Sequence, residues 1–268
     1  MARARLYLLG GFRADGPDGQ PITFPTRKTE ALLAFLGFRA GRPQSRDALA
    51  ELLWGDRGER QARHSLSQAL SAIRTVFGDA VRLAVQGRET VTLHAKGVHL
   101  DAADFQLLAA GDGLDELQAA AGLYGGPLLD GFHVRSAAFE GWLAVERTRL
   151  NSLAVAVLTR LAERQLACAD RDGAASSCHR AQALDPLSEE THRRGMRLHL
   201  AHGAYNTVIR HYRTCADMLL RELGTSPEPS TMELYQQAVD LLVRQTPTVP
   251  AAAVFQHRHL VVTSRRLA

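Results

Sequence analysis

One stretch of the chain, residues 59–78, places groups of the kind that recognise nucleic acids along one side of a predicted helix. Its large apolar residues recur at helical spacing and share one narrow face: Leu66, Leu70, Ile73 and Phe77. The other side and its flank carry cations, amides and hydroxyls: Arg60, Arg63, His64, Ser67, Gln68, Ser71 and Arg74. Such groups bond base edges and phosphates in the DNA major groove. The pattern therefore predicts a DNA-reading helix, with the solvated face of an ordinary amphipathic helix as the alternative.

The charge of the chain is unevenly placed and favours the same interpretation. Residues 61–78 contain no acidic side chain. Residues 1–97 carry 15 Lys and Arg against 9 Asp and Glu, whereas residues 98–268 carry 17 against 19. A basic first third followed by a mildly acidic remainder is typical of a nucleic-acid-binding domain joined to a protein-interacting one.

The elements around this helix predict a winged helix-turn-helix with an added N-terminal sheet. Short strands are predicted within residues 3–24, helices over 27–38 and 46–53, and a β-hairpin over 81–94. In such a unit the third helix enters the major groove and the hairpin presses the neighbouring backbone. We therefore expect phosphate contacts from four residues of the first two helices and their starts, and a wing contact from the hairpin tip: Arg27, Arg42, Ser45 and Arg46, with Arg88 at the wing.

From residue 98 onward the pattern is almost wholly helical. Helix pairs end at clear terminators, and the sequence Ala183-Leu184-Asp185-Pro186 fits the end of a tetratricopeptide-like repeat. Such arrays bind protein partners or pair with themselves, although the same helices could simply support the DNA-binding unit. Residues 246–268 break the pattern and could be a linker or a short strand packed on the body.

Other classes of function have little support in the sequence. Phosphate-loop, dinucleotide-binding, zinc-protease and serine-hydrolase motifs are missing, so we expect neither an enzyme nor a cofactor or metal site. The three cysteines are widely spaced and odd in number, which is typical of thiols in a reducing cytoplasm. Because no apolar run approaches membrane-spanning length, we expect a cytoplasmic protein without a membrane partner.

The chain resembles the Streptomyces antibiotic regulatory proteins, which join an OmpR-like winged helix to a bacterial transcriptional activator domain. The resemblance covers about residues 5–243. In the first domain it lies in the Leu9-Gly10-Gly11-Phe12 turn and in the three helices, including Ala62-Arg63-x-Ser65-Leu66-x-Gln68-Ala69-Leu70. In the second it lies in Asp101-x-x-x-Phe105, Gly131-Phe132, Trp142-Leu143-x-x-Glu146-Arg147 and Leu184-Asp185-Pro186.

This resemblance implies a transcription activator that binds direct repeats of double-stranded DNA near the −35 promoter region and recruits RNA polymerase, often as a homodimer. We accordingly expect a mainly α fold with a small β part: a winged helix at 1–97, a tetratricopeptide-like domain at 98–245 and a tail at 246–268. One alternative stays open, a protein-interaction or ligand-gated sensor module whose winged helix does not bind DNA. The operator, the activating signal and the choice between activation and repression are not encoded in any recognisable motif.

Overall fold

The computed structural model describes residues 4–77, 82–86, 89–95 and 97–245. The chain divides into two compact units, residues 1–185 and 186–268. The described strands are β1 (Ala4–Tyr7), β2 (Arg13–Asp15), β3 (Gln44–Ser45), β4 (Arg82–Gln86), β5 (Thr90–His94) and β6 (Val98–Leu100). The described helices of the first unit are α1 (Arg27–Phe38), α2 (Arg46–Trp54), α3 (Glu59–Phe77), α4 (Asp101–Leu108), α5 (Leu114–Leu123), α6 (Ala137–Ala167) and α7 (Arg171–Leu184). Those of the second are α8 (Glu189–Ala201), α9 (Tyr205–Leu223) and α10 (Pro229–Gln245).

The first sheet has the strand order β2-β1-β6, with β1 antiparallel to β2 and parallel to β6. The buried residue Asp101, which directly follows β6, links this sheet to the segment after β1. The carboxylate of Asp101 accepts the backbone N–H groups of Leu8 and Leu9 at 2.9 Å, and that of Ala102 at 2.6 Å. Burial raises the pKa of Asp101, and these three bonds oppose the shift. A residue about 90 positions away therefore satisfies the backbone beyond the end of β1.

The helix-turn-helix is built from α1, α2 and α3, with a second sheet of order β3-β5-β4 beside it. Hydroxyl side chains begin the first two helices: Thr26 accepts the N–H of Thr29, and Ser45 accepts that of Ala48. Short β3 pairs with β5, and β5 forms an antiparallel hairpin with β4. This is the connectivity of a winged helix, in which the hairpin is the wing.

The long helix α6 packs on both the helix-turn-helix and the helices that follow it in the chain. Trp142 of α6 contacts Phe35 and Phe38 of α1, with ring centroids 4.8 and 5.6 Å apart. At the start of α6, Ser136 caps the helix and donates its hydroxyl to the carbonyl of Leu52. Helix α6 also packs against α7, and these two helices contact each other more extensively than any other pair of described helices in this unit. One continuous apolar core therefore joins the helix-turn-helix to the first helices of the α-helical region.

The second unit is a three-helix assembly of α8, α9 and α10. Its small core is formed by Met196, Val208 and Ala238, with Tyr212 and Tyr235 stacked at 4.4 Å beside it. Ser188 caps α8 by accepting the N–H of Thr191. Near the same end Arg193 pairs with Glu190 at 3.1 Å and with Glu228 at 2.6 Å.

The predicted fold class is confirmed: the protein is mainly helical, with a small β part and an N-terminal winged helix before an all-α region. The predicted hairpin lies within one residue of the observed β4 and β5. The pattern gave no indication of β3 or of the parallel pairing of β6. The domain boundaries at 97/98 and 245/246 stay predictions, and both the wing residue Arg88 and the tail at 246–268 lie outside the described residues.

Candidate nucleic-acid interface

Helix α3 is oriented by the apolar residues on one of its faces. Leu66, Leu70 and Ile73 are at most 1% exposed, and Phe77 stacks on Phe24 at 6.1 Å. Because these residues fix the rotation of the helix, its polar face must point to solvent. All seven predicted contact residues of α3 are exposed: Arg60, Arg63, His64, Ser67, Gln68, Ser71 and Arg74.

The start of α2 is held against α3 by a short chain of hydrogen bonds. Arg46 donates from Nη2 to the hydroxyl of Ser67 at 2.8 Å, and that hydroxyl donates to the Arg63 carbonyl at 2.9 Å. The structure therefore brings Arg46, Ser67 and the N-terminus of α2 together. The Ser45 hydroxyl already caps α2, because its oxygen accepts the N–H of Ala48. A phosphate at this end of α2 would meet backbone N–H groups and the Arg46 guanidinium.

Among the described residues, Arg63 is the one arginine on the α3 face that forms ion pairs with carboxylates. Its guanidinium lies 2.9 Å from the Asp47 carboxylate and 2.8 Å from that of Glu59. The hydrogen bond that Arg63 donates to the Asp47 carboxylate raises the pKa of Arg63, and the charges of Asp47 and Glu59 add to the shift. Two exposed carboxylates therefore stand beside a predicted DNA contact, and Arg63 must exchange them for phosphate or base if it is to bind DNA.

Arg60 and Arg74 differ from Arg63 because no described carboxylate lies within 4 Å of either guanidinium. The same is true of Arg42, which lies just before β3. His64 is exposed between these arginines along the helix. Within the described part of the chain, the positive charge of this face therefore comes mainly from Arg60 and Arg74 and not from Arg63.

Three predicted contacts, Arg27, Gln68 and Ser71, line a cleft beside α3. Arg27 pairs with Glu30 at 3.1 Å, and its guanidinium lies 4.9 Å from the centre of the Phe132 ring. Gln68 and Ser71 are on the α3 flank nearest this cleft. They can serve the groove-facing surface and the cleft wall at once, because both side chains are exposed.

The sequence did not single out the other cations of this cleft. Lys28, Arg57, His133 and Arg135 reach it from α1, the α2–α3 loop and the segment before α6. No local spacing relates positions so far apart in the chain, so only the tertiary fold could reveal them. The Glu59 partner of Arg63 was accessible to sequence reasoning, since the two are four residues apart on one helix.

Metal-ligand chemistry has no evident place in the described part of the chain, where no group of three or more His, Cys, Asp or Glu side chains is arranged to hold an ion. Cys178 and Cys215 are buried and free, and burial raises the pKa of each thiol to about 11. Cys168 is free but exposed, in contrast to the other two. None of the described helices is both long and apolar enough to cross a membrane.

Known proteins share sequence and architecture with this chain. The bacterial transcriptional activator domain family matches residues 100–238. The regulatory protein AfsR of Streptomyces coelicolor is 28% identical over 244 residues, a region that covers 87% of this chain and 24% of AfsR. The chain thus spans about a quarter of the length of that relative.

A solved structure has the same overall fold. EmbR of Mycobacterium tuberculosis, determined in complex with a low-affinity phosphopeptide, aligns with a TM-score of 0.65 and 23% identity, over 91% of this chain and 66% of EmbR. At this identity the likeness shows the fold alone. The family match, by contrast, covers slightly more than half of the chain. The chain therefore belongs to the bacterial transcriptional regulators that carry a bacterial transcriptional activator domain, the family of the Streptomyces antibiotic regulatory proteins.

Proposed function

We propose that this regulator binds double-stranded DNA through α3, which enters the major groove, while the β4–β5 hairpin contacts the adjacent backbone. The observation that carries the proposal is the exposed face of α3. Arg60 and Arg74 lie there without a described carboxylate within 4 Å, and no acidic residue occurs between Arg60 and Phe77. An α-helix fits the DNA major groove, and guanidinium groups that no carboxylate neutralises can bind phosphates and guanine edges there.

The start of α2 supports the proposal by offering a phosphate site next to α3. Its first turn presents backbone N–H groups and the Arg46 side chain, which is already held against Ser67. Arg42, His64 and Gln68 widen the same surface, and Arg27 and Ser45 complete the predicted set. We assign phosphate contacts to Arg42 and Arg46 and base contacts to the middle of α3.

The family resemblance supports the finer parts of the proposal. We infer that the protein activates transcription in the cytoplasm by binding direct repeats near the −35 region, as a homodimer, and by recruiting RNA polymerase. In this arrangement residues 1–97 would bind DNA and residues 98–245 would contact the polymerase or the second protomer. A catalytic function is not part of this proposal.

The test is binding of the purified protein to a labelled DNA fragment from upstream of its own coding sequence, measured by fluorescence anisotropy over a range of salt concentrations. An Arg60→Ala/Arg74→Ala double variant removes the two α3 charges that have no described carboxylate within 4 Å. Loss of two phosphate contacts should flatten the slope of log K against log salt by about 1.8. If the two residues read bases instead, discrimination against an unrelated competitor should fall while the slope changes less.

The matched control is an Arg171→Ala/Arg213→Ala variant, which removes two exposed arginines far from α3 in the sequence. It loses the same net charge as the α3 variant, but we expect it to bind as the wild type does, because neither arginine belongs to the proposed DNA contact. Equal binding by wild type and the α3 variant would contradict the proposal. It would favour a protein-interaction or sensor module whose winged helix does not bind DNA.

A further inference from the structure

A cleft of about 1000 Å³ opens within the first unit beside the DNA-reading helix. It is bounded by the N-terminus of α1, by the flank of α3 that carries Gln68 and Ala72, and by residues 133–135 before α6. Its walls come from parts of the chain that are far apart in sequence, so the cleft exists only in the folded unit. A space of this size can hold a small organic molecule.

The charged groups that line the cleft are all basic. Arg27, Lys28, Arg57 and Arg135 reach it together with His133, and no described carboxylate lines it. Lys28 and Arg27 are each paired with a carboxylate that lies outside the lining, Asp56 at 3.2 Å and Glu30 at 3.1 Å.

Arg57 and Arg135 form no ion pair with a described carboxylate, although the charge of Arg57 acts on that of the neighbouring Asp56. Arg57 donates to the Ser65 hydroxyl at 3.2 Å, and no described carboxylate lies within 4 Å of its guanidinium or of that of Arg135. Arg135 makes no described ion pair although it is exposed at the cleft. Both guanidinium groups line one cleft, and an anion with several oxygen atoms can accept paired hydrogen bonds from such groups.

The backbone adds further positive potential at the same place. The first turn of α1 lines the cleft, with Thr26 as its cap. The hydroxyl of Thr26 satisfies the N–H of Thr29, and the preceding N–H groups of this turn have no partner inside the helix. A helix N-terminus combined with free arginines is a common arrangement for phosphate recognition.

The remaining wall is apolar and indicates that the ligand has an organic part. The apolar lining residues are Ala69, Ala72 and Val76 of α3, together with Trp54 and Val134. Inorganic phosphate would leave most of this surface unfilled. A molecule that joins phosphate groups to a larger organic body would use both the basic and the apolar parts of the wall.

We propose that this cleft is a binding site for a small phosphorylated organic molecule, held by Arg57, Arg135 and the N-terminus of α1. The ligand would rest against α3, on the flank that carries Gln68 and Ser71. The site goes beyond the proposed DNA contact, because its occupancy can be measured on the protein free of DNA.

The test is calorimetric titration of the full chain, without DNA and at constant ionic strength, with pyrophosphate and with ATP as probes. These probes share a run of phosphates and differ in their organic part. We expect one saturable site per chain for both, with ATP the tighter. Arg57→Glu and Arg135→Glu should each weaken the binding of ATP at least about tenfold, since each removes charge-assisted hydrogen bonds and adds repulsion.

Arg171→Glu is the matched control, an equal charge reversal at an exposed arginine of the same unit outside the cleft, and it should leave binding unchanged. Circular dichroism verifies that the variants fold. A second readout needs no variant: on addition of ATP to wild-type protein, the methyl NMR signals of Ala72 and Val76 should shift, whereas those of methyl groups in α10 should not.

Absence of saturable binding by both probes at concentrations up to about 10 mM would overturn the proposal, since an affinity weaker than this is nonspecific. Equal ATP binding by wild type and both cleft variants would also overturn it. If neither probe binds but Arg135→Glu weakens DNA binding, the cleft belongs to the DNA contact surface. The anion titration contains no DNA, so its result is separate from that of the α3 variant.

Discussion

At the scale of single residues, the arginines of α3 differ in what surrounds them more than in where they point. Arg63 lies between Asp47 and Glu59, whereas Arg60 and Arg74 meet no described carboxylate within 4 Å. An exposed ion pair of this kind contributes little to folding stability, because water and salt screen it. Its larger effect is on binding, because DNA must displace the carboxylates before Arg63 can contact a phosphate.

This gives a prediction for Asp47→Asn. The substitution removes an exposed negative charge beside the proposed interface and releases Arg63 from its bond at 2.9 Å. Arg63 then keeps only its pairing with Glu59, which a phosphate can displace. We therefore expect DNA binding at low salt to tighten about fivefold, with a salt slope steeper by about 0.9, because Arg63 acts as one further phosphate contact. The measurement is anisotropy against salt. Asp115→Asn on α5 is the control, and unchanged binding by Asp47→Asn would show that Arg63 takes no part.

A second prediction at this scale concerns His199 in the second unit. His199 is buried, its Nε2 has no hydrogen-bond partner, and its ring lies 5.0 Å from that of His211 on α9. Burial lowers the pKa of His199, and the charges of His202 and Arg210 lower it further. Because the unfolded chain takes up this proton first, stability should fall as the pH drops below about 6.5 towards the lower pKa of the folded state.

The measurement is urea unfolding from pH 8 to about pH 5, followed by a probe in the second unit. His199→Phe keeps an aromatic ring against His211 but cannot take up a proton, so its stability should depend less on pH over this range. His179→Gln, at an exposed histidine of α7, should keep the dependence of the wild type. A wild-type protein whose stability rises as the pH falls below 6.5 would refute the argument.

At the scale of elements, the first sheet and the segment before α6 are locked together by a close approach of two glycine-containing turns. The N–H of Gly10 donates to the Pro127 carbonyl at 3.0 Å, and that of Leu129 donates to the Leu8 carbonyl at 2.7 Å. A Cβ on Gly10 would lie 3.1 Å from backbone atoms of Gly125, and Gly10 also has a positive φ of 83°. The position therefore requires glycine both for its conformation and for space.

Gly10→Ala and Gly19→Ala separate these two requirements. Gly19 has a similar φ of 79°, but nothing lies within 4 Å of a Cβ built there. We expect Gly19→Ala to cost about 1 kcal/mol in the free energy of unfolding from its backbone conformation alone. Gly10→Ala should cost about 1–3 kcal/mol more, because it also pushes two backbone segments apart. Urea unfolding of both variants measures the difference, and equal costs would show that the turn adjusts freely.

What could be predicted from sequence follows the range of the interactions. The first three α-helices were predicted to within one residue, because apolar spacing and caps such as Thr26 and Ser45 are local. The parallel pairing of β6 with β1 was missed because it joins residues more than 90 positions apart, as do the bonds from Leu8 and Leu9 to Asp101, and no short pattern reveals such contacts. The exposed face of α3 was predictable because it follows from local spacing, whereas the Asp47 partner of Arg63 and the cleft depend on contacts between distant parts of the chain.

At the scale of the molecule, the apolar core runs without interruption from the helix-turn-helix into the helices that follow it, up to α7. The Trp142 contacts with α1 and the bond from Ser136 to Leu52 tie α6 to the first two helices. The predicted boundary between residues 97 and 98 lies inside the first compact unit. A change on the α6 side of the cleft can therefore reach α3 through packed side chains.

The last prediction is that the cleft and the DNA surface are energetically coupled, because Gln68 and Ser71 belong to both. If bound ATP changes the affinity of the protein for DNA by some factor, bound DNA must change its affinity for ATP by the same factor, because linkage between two binding equilibria is reciprocal. We expect negative coupling of about five- to tenfold, because a polyphosphate beside α3 repels the DNA backbone.

Anisotropy titrations of DNA with and without saturating ATP measure one arm, and calorimetric titrations of ATP with and without DNA measure the other. Sodium chloride at matched ionic strength controls for general screening. Arg135→Glu should abolish the effect of ATP on DNA binding, and an equal effect of ATP in that variant would show that the two surfaces are independent.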